Sequence, residues 1–154
     1  IKIIFFRKKR NYLYLLSLIL ILPTIFWMYK NHPHQNVYFN LIAGKNFKAK
    51  YEMDFLGLSN KRALEYIVEK VDKKVKVYTL STTDLNLSKK ILRKEIREKI
   101  EIVYDINSAD YITNNYRDWR GETLPSNFVI PKNFKILYEI KVDDVAINSV
   151  YKKL

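Results

Sequence analysis

Few residues in this chain have types and spacing that suggest chemistry. Glu52 and Asp54 stand two apart, with Tyr51, Met53 and Phe55 alternating around them. An extended segment would set both carboxylates on one side. Paired carboxylates can do acid–base work, and a solvated strand face carries the same pattern. His32 and His34 are also two apart, a poor spacing for a metal held on one helical face. A cap histidine beside an exposed one is the plainer reading. The Ser81-Thr82-Thr83-Asp84 turn offers free amides to a phosphate, but without a glycine the close approach of the backbone is hindered. Trp119 lies near Arg117 and Arg120 in a long polar connection over 115–133. There it could stack on a sugar ring or a base, or pack onto the domain as a lid. GxSxG, HExxH, P-loop and GxGxxG patterns are missing, and spacing yields no nucleophile–base pair. The chain has no cysteine, so disulfide stapling and cysteine-based metal or redox sites are excluded.

The stretch around which these residues are organised is NYLYLLSLILILPTIFWMY, residues 11–29, with no formal charge. As a helix it would be about 28 Å long, close to the hydrocarbon thickness of a bilayer. Tyr12, Tyr14, Trp27 and Tyr29 lie near its ends, where amphipathic rings prefer the headgroup zone. A buried core helix of this length normally shows a polar stripe. A signal peptide has a shorter apolar run and a small-residue cleavage site. The sequence therefore predicts a transmembrane helix over 11–29. Lys2, Arg7, Lys8, Lys9 and Arg10 mark residues 1–10 as a cytoplasmic basic flank. Residues 30–154 are then expected outside the cytoplasm. The apolar IKIIFF at the start leads to the expectation that the chain is the C-terminal piece of a longer protein.

Beyond that helix the pattern is α/β. A short helix is expected over 31–44, with Asn31 or His32 as cap and Pro33 in the first turn. A basic loop follows at 45–50. An amphipathic helix is expected over 60–71, with Ala63, Leu64, Ile67, Val68 and Val71 inward and Ser59 as its cap. Strands are expected over 74–80, 100–104 and 109–114. A helix over 85–99 stands between the first two, with Leu87, Ile91, Leu92 and Ile96 buried. A hairpin closes the chain, its strands 134–142 and 145–153 joined by Asp143-Asp144. In it Ile136, Tyr138, Ile140 and Val142 alternate inward. The fold class expected is a small α/β sandwich, two helices against a mixed sheet.

The net charge is +12; the five cations before Asn11 leave +7 for the rest. That balance fits anionic lipid headgroups, nucleic acid or a phosphorylated substrate. It also fits lysines scattered over a solvated surface. Beside a spanning helix, membrane lipid is the expected partner. Nucleic acid is not expected, because the tyrosines occupy core positions rather than alternating with arginines on one strand face.

HPHQNVYFN (32–40), YEMDFLGLSNKRALEYI (51–67), SADYITN (108–114) and the closing hairpin together resemble one family. They are similar to the C-terminal end of multi-spanning bacterial glycosyltransferases of the dolichyl-phosphate-mannose type. The family wording is HPYQ-x-x-YFN and D-Y-W-G-L-S; here His34 replaces the Tyr, and Phe55-Leu56 replaces Tyr-Trp. The resemblance implies transfer of a sugar from a polyprenyl-phosphate carrier, with catalytic residues and any cofactor lying outside this chain. It also implies partners, namely the remaining transmembrane helices of the parent protein and a lipid-linked sugar. His32, Asn40, Asp54 and Gly57 match motif positions and are the candidates for docking onto the membrane-embedded core. Trp119 is the candidate for closeness to substrate. A different class of reading is a single-pass, membrane-tethered module that binds an anionic glycan or a lipid headgroup.

Overall fold

The structure is a computed structural model and describes residues 2–38, 53–117 and 129–154. The chain divides into two units, Ile1–Tyr38 and Phe39–Leu154. An apolar N-terminal helix forms the first; a five-stranded mixed sheet with helices forms the second. This is the α/β arrangement the hydropathy pattern leads one to expect.

Helix α1 runs Lys2–Lys30, longer at its start than the apolar stretch. Nothing between Phe6 and Asn11 breaks a helix, and arginine and lysine are good helix formers. Within it Asn11–Lys30 is long and apolar enough to cross a membrane, and none of that stretch is buried. The Ser17 hydroxyl donates to the Leu13 carbonyl at 2.9 Å, the bond that suits a hydroxyl in an apolar helix. Pro23 lies inside α1 without ending it.

The exit from α1 differs from the expected short helix. Asn31 donates from both its backbone and its side chain to the Trp27 carbonyl, at 3.0 and 3.1 Å. Asn31 therefore closes α1 rather than opening a new helix. The following bonds, His34 to Asn31 and Val37 to His34, span three residues. They build a turn around Pro33 and one 3-10 turn, Gln35–Val37. The rest of the expected helix, the basic loop 45–50, and Tyr51 and Glu52 lie outside the described residues.

In the second unit α2 spans Leu58–Glu69, β1 Val75–Thr79, α3 Leu85–Lys90, α4 Lys94–Glu98, β2 Ile100–Ile102, β3 Tyr111–Asn114, β4 Phe134–Val142 and β5 Val145–Lys153. The strand order is β2-β1-β3-β5-β4. β1 pairs parallel with β2 and β3, while β5 pairs antiparallel with β3 and β4. The parallel part is what a β-α-β passage builds, and the antiparallel part is the hairpin.

Helix α2 packs on β5 and β3 through Ala63, Leu64, Ile67 and Val68, all buried. Full burial of such aliphatic side chains contributes about 1.5–3 kcal/mol each. Val71 falls just past the helix and is half-buried. A second core lies on the opposite face of the sheet, around Ala109, Ile112 and Phe134, with Tyr78, Val103 and Tyr151 against it. The exposed ion pairs, such as Lys61–Glu65 and Lys94–Glu98, contribute little to stability.

Two expectations are corrected. The helix over 85–99 is two helices, α3 and α4, and its buried row is Leu85, Ser88 and Leu92 rather than Leu87 and Ile91. Leu87 and Ile91 are 62% and 64% exposed. The break carries neither glycine nor proline. Leu92 closes α3 by donating to Lys89, and Arg93 starts α4 by accepting from Ile96 and Arg97. In the hairpin, the pairing shifts register between Ile136 and Tyr138. This bulge turns Ile136 outward, and a second register shift follows between Ile140 and Lys141, so Ile140 and Val142 are both buried without one unbroken alternation along the strand. Tyr138 is half-buried and stacks on Tyr66 of α2, ring centroids 3.9 Å apart. The turn itself is as expected: Asp143 and Asp144 both have positive φ, 47° and 64°, as a two-residue hairpin turn needs.

Candidate functional site

Asp54 is not on a solvated strand face. It is 1% exposed and organises the entry to α2. Its carboxylate accepts from the Leu58 N–H at 3.0 Å, the Ser59 N–H at 3.1 Å and the Ser59 hydroxyl. Its carbonyl accepts from the Gly57 N–H at 2.9 Å, closing a tight turn over Phe55 and Leu56. A carboxylate on the first free amides of a helix satisfies orphan donors and complements the helix dipole. Ser59, read from the sequence as the cap, stands inside the helix and donates to the residue that does cap it.

Gly57 sits at the helix boundary with φ 64° and ψ 27°. That left-handed conformation is costly for any residue with a Cβ. A Cβ here would also collide with the Thr83 methyl. Asp54 and Gly57 are thus brought together, as two halves of one turn.

A buried amide network extends from this turn. Asn115 donates to the Asp54 carbonyl at 3.1 Å and exchanges hydrogen bonds with Thr83. Asn148 of β5 donates to the Ser59 hydroxyl and the Asn60 side-chain oxygen Oδ1, both at 2.8 Å. On the other face of β5, Ser149 meets the Tyr116 hydroxyl. Burial holds Tyr116 well above the usual phenol range, against a smaller opposite effect of the Ser149 bond. Burial raises Tyr111 as well, with the neighbouring Asp110 carboxylate adding to it. Asn60 Nδ2, Asn148 Oδ1, Asn114 Nδ2 and Thr113 Oγ1 are buried without a hydrogen-bond partner.

His32 belongs to the first unit, is exposed, and has Nδ1 2.7 Å from Gln35 Nε2. His34 is buried. Asn40 and Trp119 lie outside the described residues. Among the described residues no group of three or more His, Cys, Asp or Glu gathers as a metal ligand set. Arg117, near Trp119, is held at both ends. Its carbonyl accepts from the Thr82 N–H at 3.0 Å. Its guanidinium lies 4.2 Å from the Phe55 ring centroid and donates to the Phe55 carbonyl at 3.0 Å.

The Ser81–Asp84 turn borders a groove of about 460 Å³ at the carboxyl ends of β1 and β2, where open α/β sheets commonly bind ligands. Two of its amides are already engaged, Ser81 with the Thr79 hydroxyl and Thr82 with the Arg117 carbonyl, and the Asn86 amide just beyond it donates to the Asp84 carboxylate. Asp84 also places a negative charge there, so the turn is not built for phosphate.

The residues missed from sequence are Asn115, Thr83, Asn60 and Asn148. Their one signal is polarity inside strong β patterns: Asn148-Ser149 within VAINSVY, and Asn114-Asn115 at the end of YITN. The arrangement is an organising network for helix and sheet, with the Asp54 carboxylate engaged by the start of α2. Comparison with family models, curated proteins and solved structures finds no match for this chain.

Proposed function

We propose that this chain is the membrane-anchoring and accessory part of an integral-membrane glycosyltransferase that takes its sugar from a polyprenyl-phosphate carrier. In this reading α1 crosses the bacterial inner membrane with its basic end in the cytoplasm. The α/β domain then lies outside, and catalytic residues lie elsewhere in the parent protein. The observation that carries the reading is the unburied apolar helix Asn11–Lys30 joined to a folded domain. The sugar chemistry rests on the motif resemblance through His32, Asn40, Asp54 and Gly57. The geometry of Asp54 supports a positioning role rather than a catalytic one, since its carboxylate already serves the amides of α2.

The test is transfer of a radiolabelled sugar from polyprenyl phosphate by membranes carrying the complete reading frame, beside membranes carrying residues 1–154 alone. Transfer by the first and none by the second is expected. Transfer by residues 1–154 alone, or by neither preparation, would remove the reading.

A further inference from the structure

The tight turn between Asp54 and Gly57 thrusts two large apolar side chains into solvent. Phe55 is 55% exposed and Leu56 64% exposed, and Leu58, which opens α2, is 40% exposed. Turn positions of this kind normally carry Asn, Asp, Gly or Ser. Among the described residues, only Arg117 is seen packed on these two side chains, over the Phe55 ring. Asp54 is buried beneath the turn, and Gly57 closes its far end in a left-handed conformation. Cations ring it. The Arg117 guanidinium lies over the Phe55 ring. Lys61 and Arg62 follow Leu58 by three and four residues, on the same side of α2, and both are exposed; Lys61 also pairs with Glu65 at 3.6 Å, a surface pair weak enough to yield to a phosphate.

From this we infer that Phe55, Leu56 and Leu58 form a membrane-docking prong that inserts into the headgroup zone of an anionic bilayer, with Lys61 and Arg62 on the lipid phosphates. Apolar side chains within a basic collar are the combination that binds anionic interfaces. The chain supplies the bilayer itself, since the prong follows a helix long enough to cross one. A tether of this kind makes the second contact intramolecular, so weak insertion suffices. The inference rests on the reading that α1 spans a membrane, and it adds the surface by which the domain lies down on the same membrane.

The chain's lack of cysteine makes a clean test. Leu56→Cys in the full chain is labelled with an environment-sensitive fluorophore and reconstituted into vesicles of neutral phosphatidylcholine, with or without phosphatidylglycerol. An Ile136→Cys variant, at an exposed apolar site on β4, serves as reference. Expected is quenching of the position-56 probe by a lipid-borne quencher in anionic vesicles, with the position-136 probe unquenched. Each of Lys61→Gln and Arg62→Gln should lower the docked-to-free ratio about fivefold. A position-56 probe as water-exposed as that at 136 would overturn the inference. So would shielding that rises with protein concentration in neutral vesicles, which would assign the prong to a second copy. Shielding that appears only when the rest of the parent protein is present would overturn it too. Flotation of the chain with carbonate-washed vesicles is read in the same samples. Loss of flotation sinks the spanning reading; intact flotation without quenching sinks the prong alone.

Discussion

The Asn115 side chain donates to the Asp54 carbonyl at 3.1 Å across 61 residues of sequence. This bond joins the end of β3 to the turn that launches α2. Through Thr83 the same amide reaches the loop ahead of α3. One buried asparagine thus ties together three segments that hydrophobic patterning alone leaves independent.

Asp54→Ala removes acceptors from two helix amides, a serine hydroxyl and Asn115. Unsatisfied buried donors and a lost cap together cost about 2–4 kcal/mol. Asp54→Asn keeps one acceptor oxygen and should cost about half as much. Urea unfolding followed by far-UV circular dichroism measures both. Equal stability of all three proteins would mean that the carboxylate is not a structural cap.

Gly57→Ala should cost about 2–4 kcal/mol, from a left-handed backbone and a collision with Thr83. Thr83→Ser with Gly57→Ala should recover part of the loss, because it removes the methyl in the way. A double mutant no more stable than Gly57→Ala alone would assign the whole cost to backbone conformation.

Tyr116 links burial to pH. Its folded-state pKa is raised by burial above the phenol value of about 10. Above that value the unfolded chain loses the proton first, so folding stability is fully present below about pH 10 and falls as pH rises further. Tyr116→Phe should flatten this alkaline decline while lowering stability at pH 7 by about 1–2 kcal/mol through the lost bond to Ser149. Thermal melts between pH 7 and 11 test it; an identical alkaline decline in both proteins would show that Tyr116 does not cause it.

The split of α3 from α4 has a direct signature. Leu92→Ala should cost about 2–4 kcal/mol, whereas Leu87→Ser and Ile91→Ser should change stability by less than about 0.5 kcal/mol. A continuous helix burying Leu87 and Ile91 would reverse the order in chemical unfolding.

Where side-chain pattern and local turn chemistry agree, the fold is legible in the residues. The hairpin reads directly because the Asp143-Asp144 pair suits positive φ and is flanked by long β-branched runs. Helix α2 reads from Ala63, Leu64, Ile67 and Val68 at helical spacing. What does not read is tertiary. Asp54 has the alternation of a strand residue, yet its carboxylate caps α2 through Leu58 and Ser59, and Asn115, just past β3, closes over it. Leu87 and Ile91 fit a helical stripe as well as Leu85 and Leu92 do, so the sheet beneath decides between them. The bulge at Ile136 has no glycine to announce it. Of the candidate residues, Asp54 and Gly57 fall in one turn because they share a motif with close spacing, whereas His32 lies in the other unit and no local pattern relates the two.

The central claim is that α1 threads a bilayer, and single-cysteine topology mapping tests it most directly. Lys2→Cys and Lys132→Cys variants of the cysteine-free chain are expressed separately in bacterial spheroplasts and exposed to a membrane-impermeant maleimide. Labelling of position 132 in intact spheroplasts, with position 2 labelled only after permeabilisation, is the result the account requires. Labelling of both positions from one side, or release of the chain into the supernatant by alkaline carbonate, would contradict it.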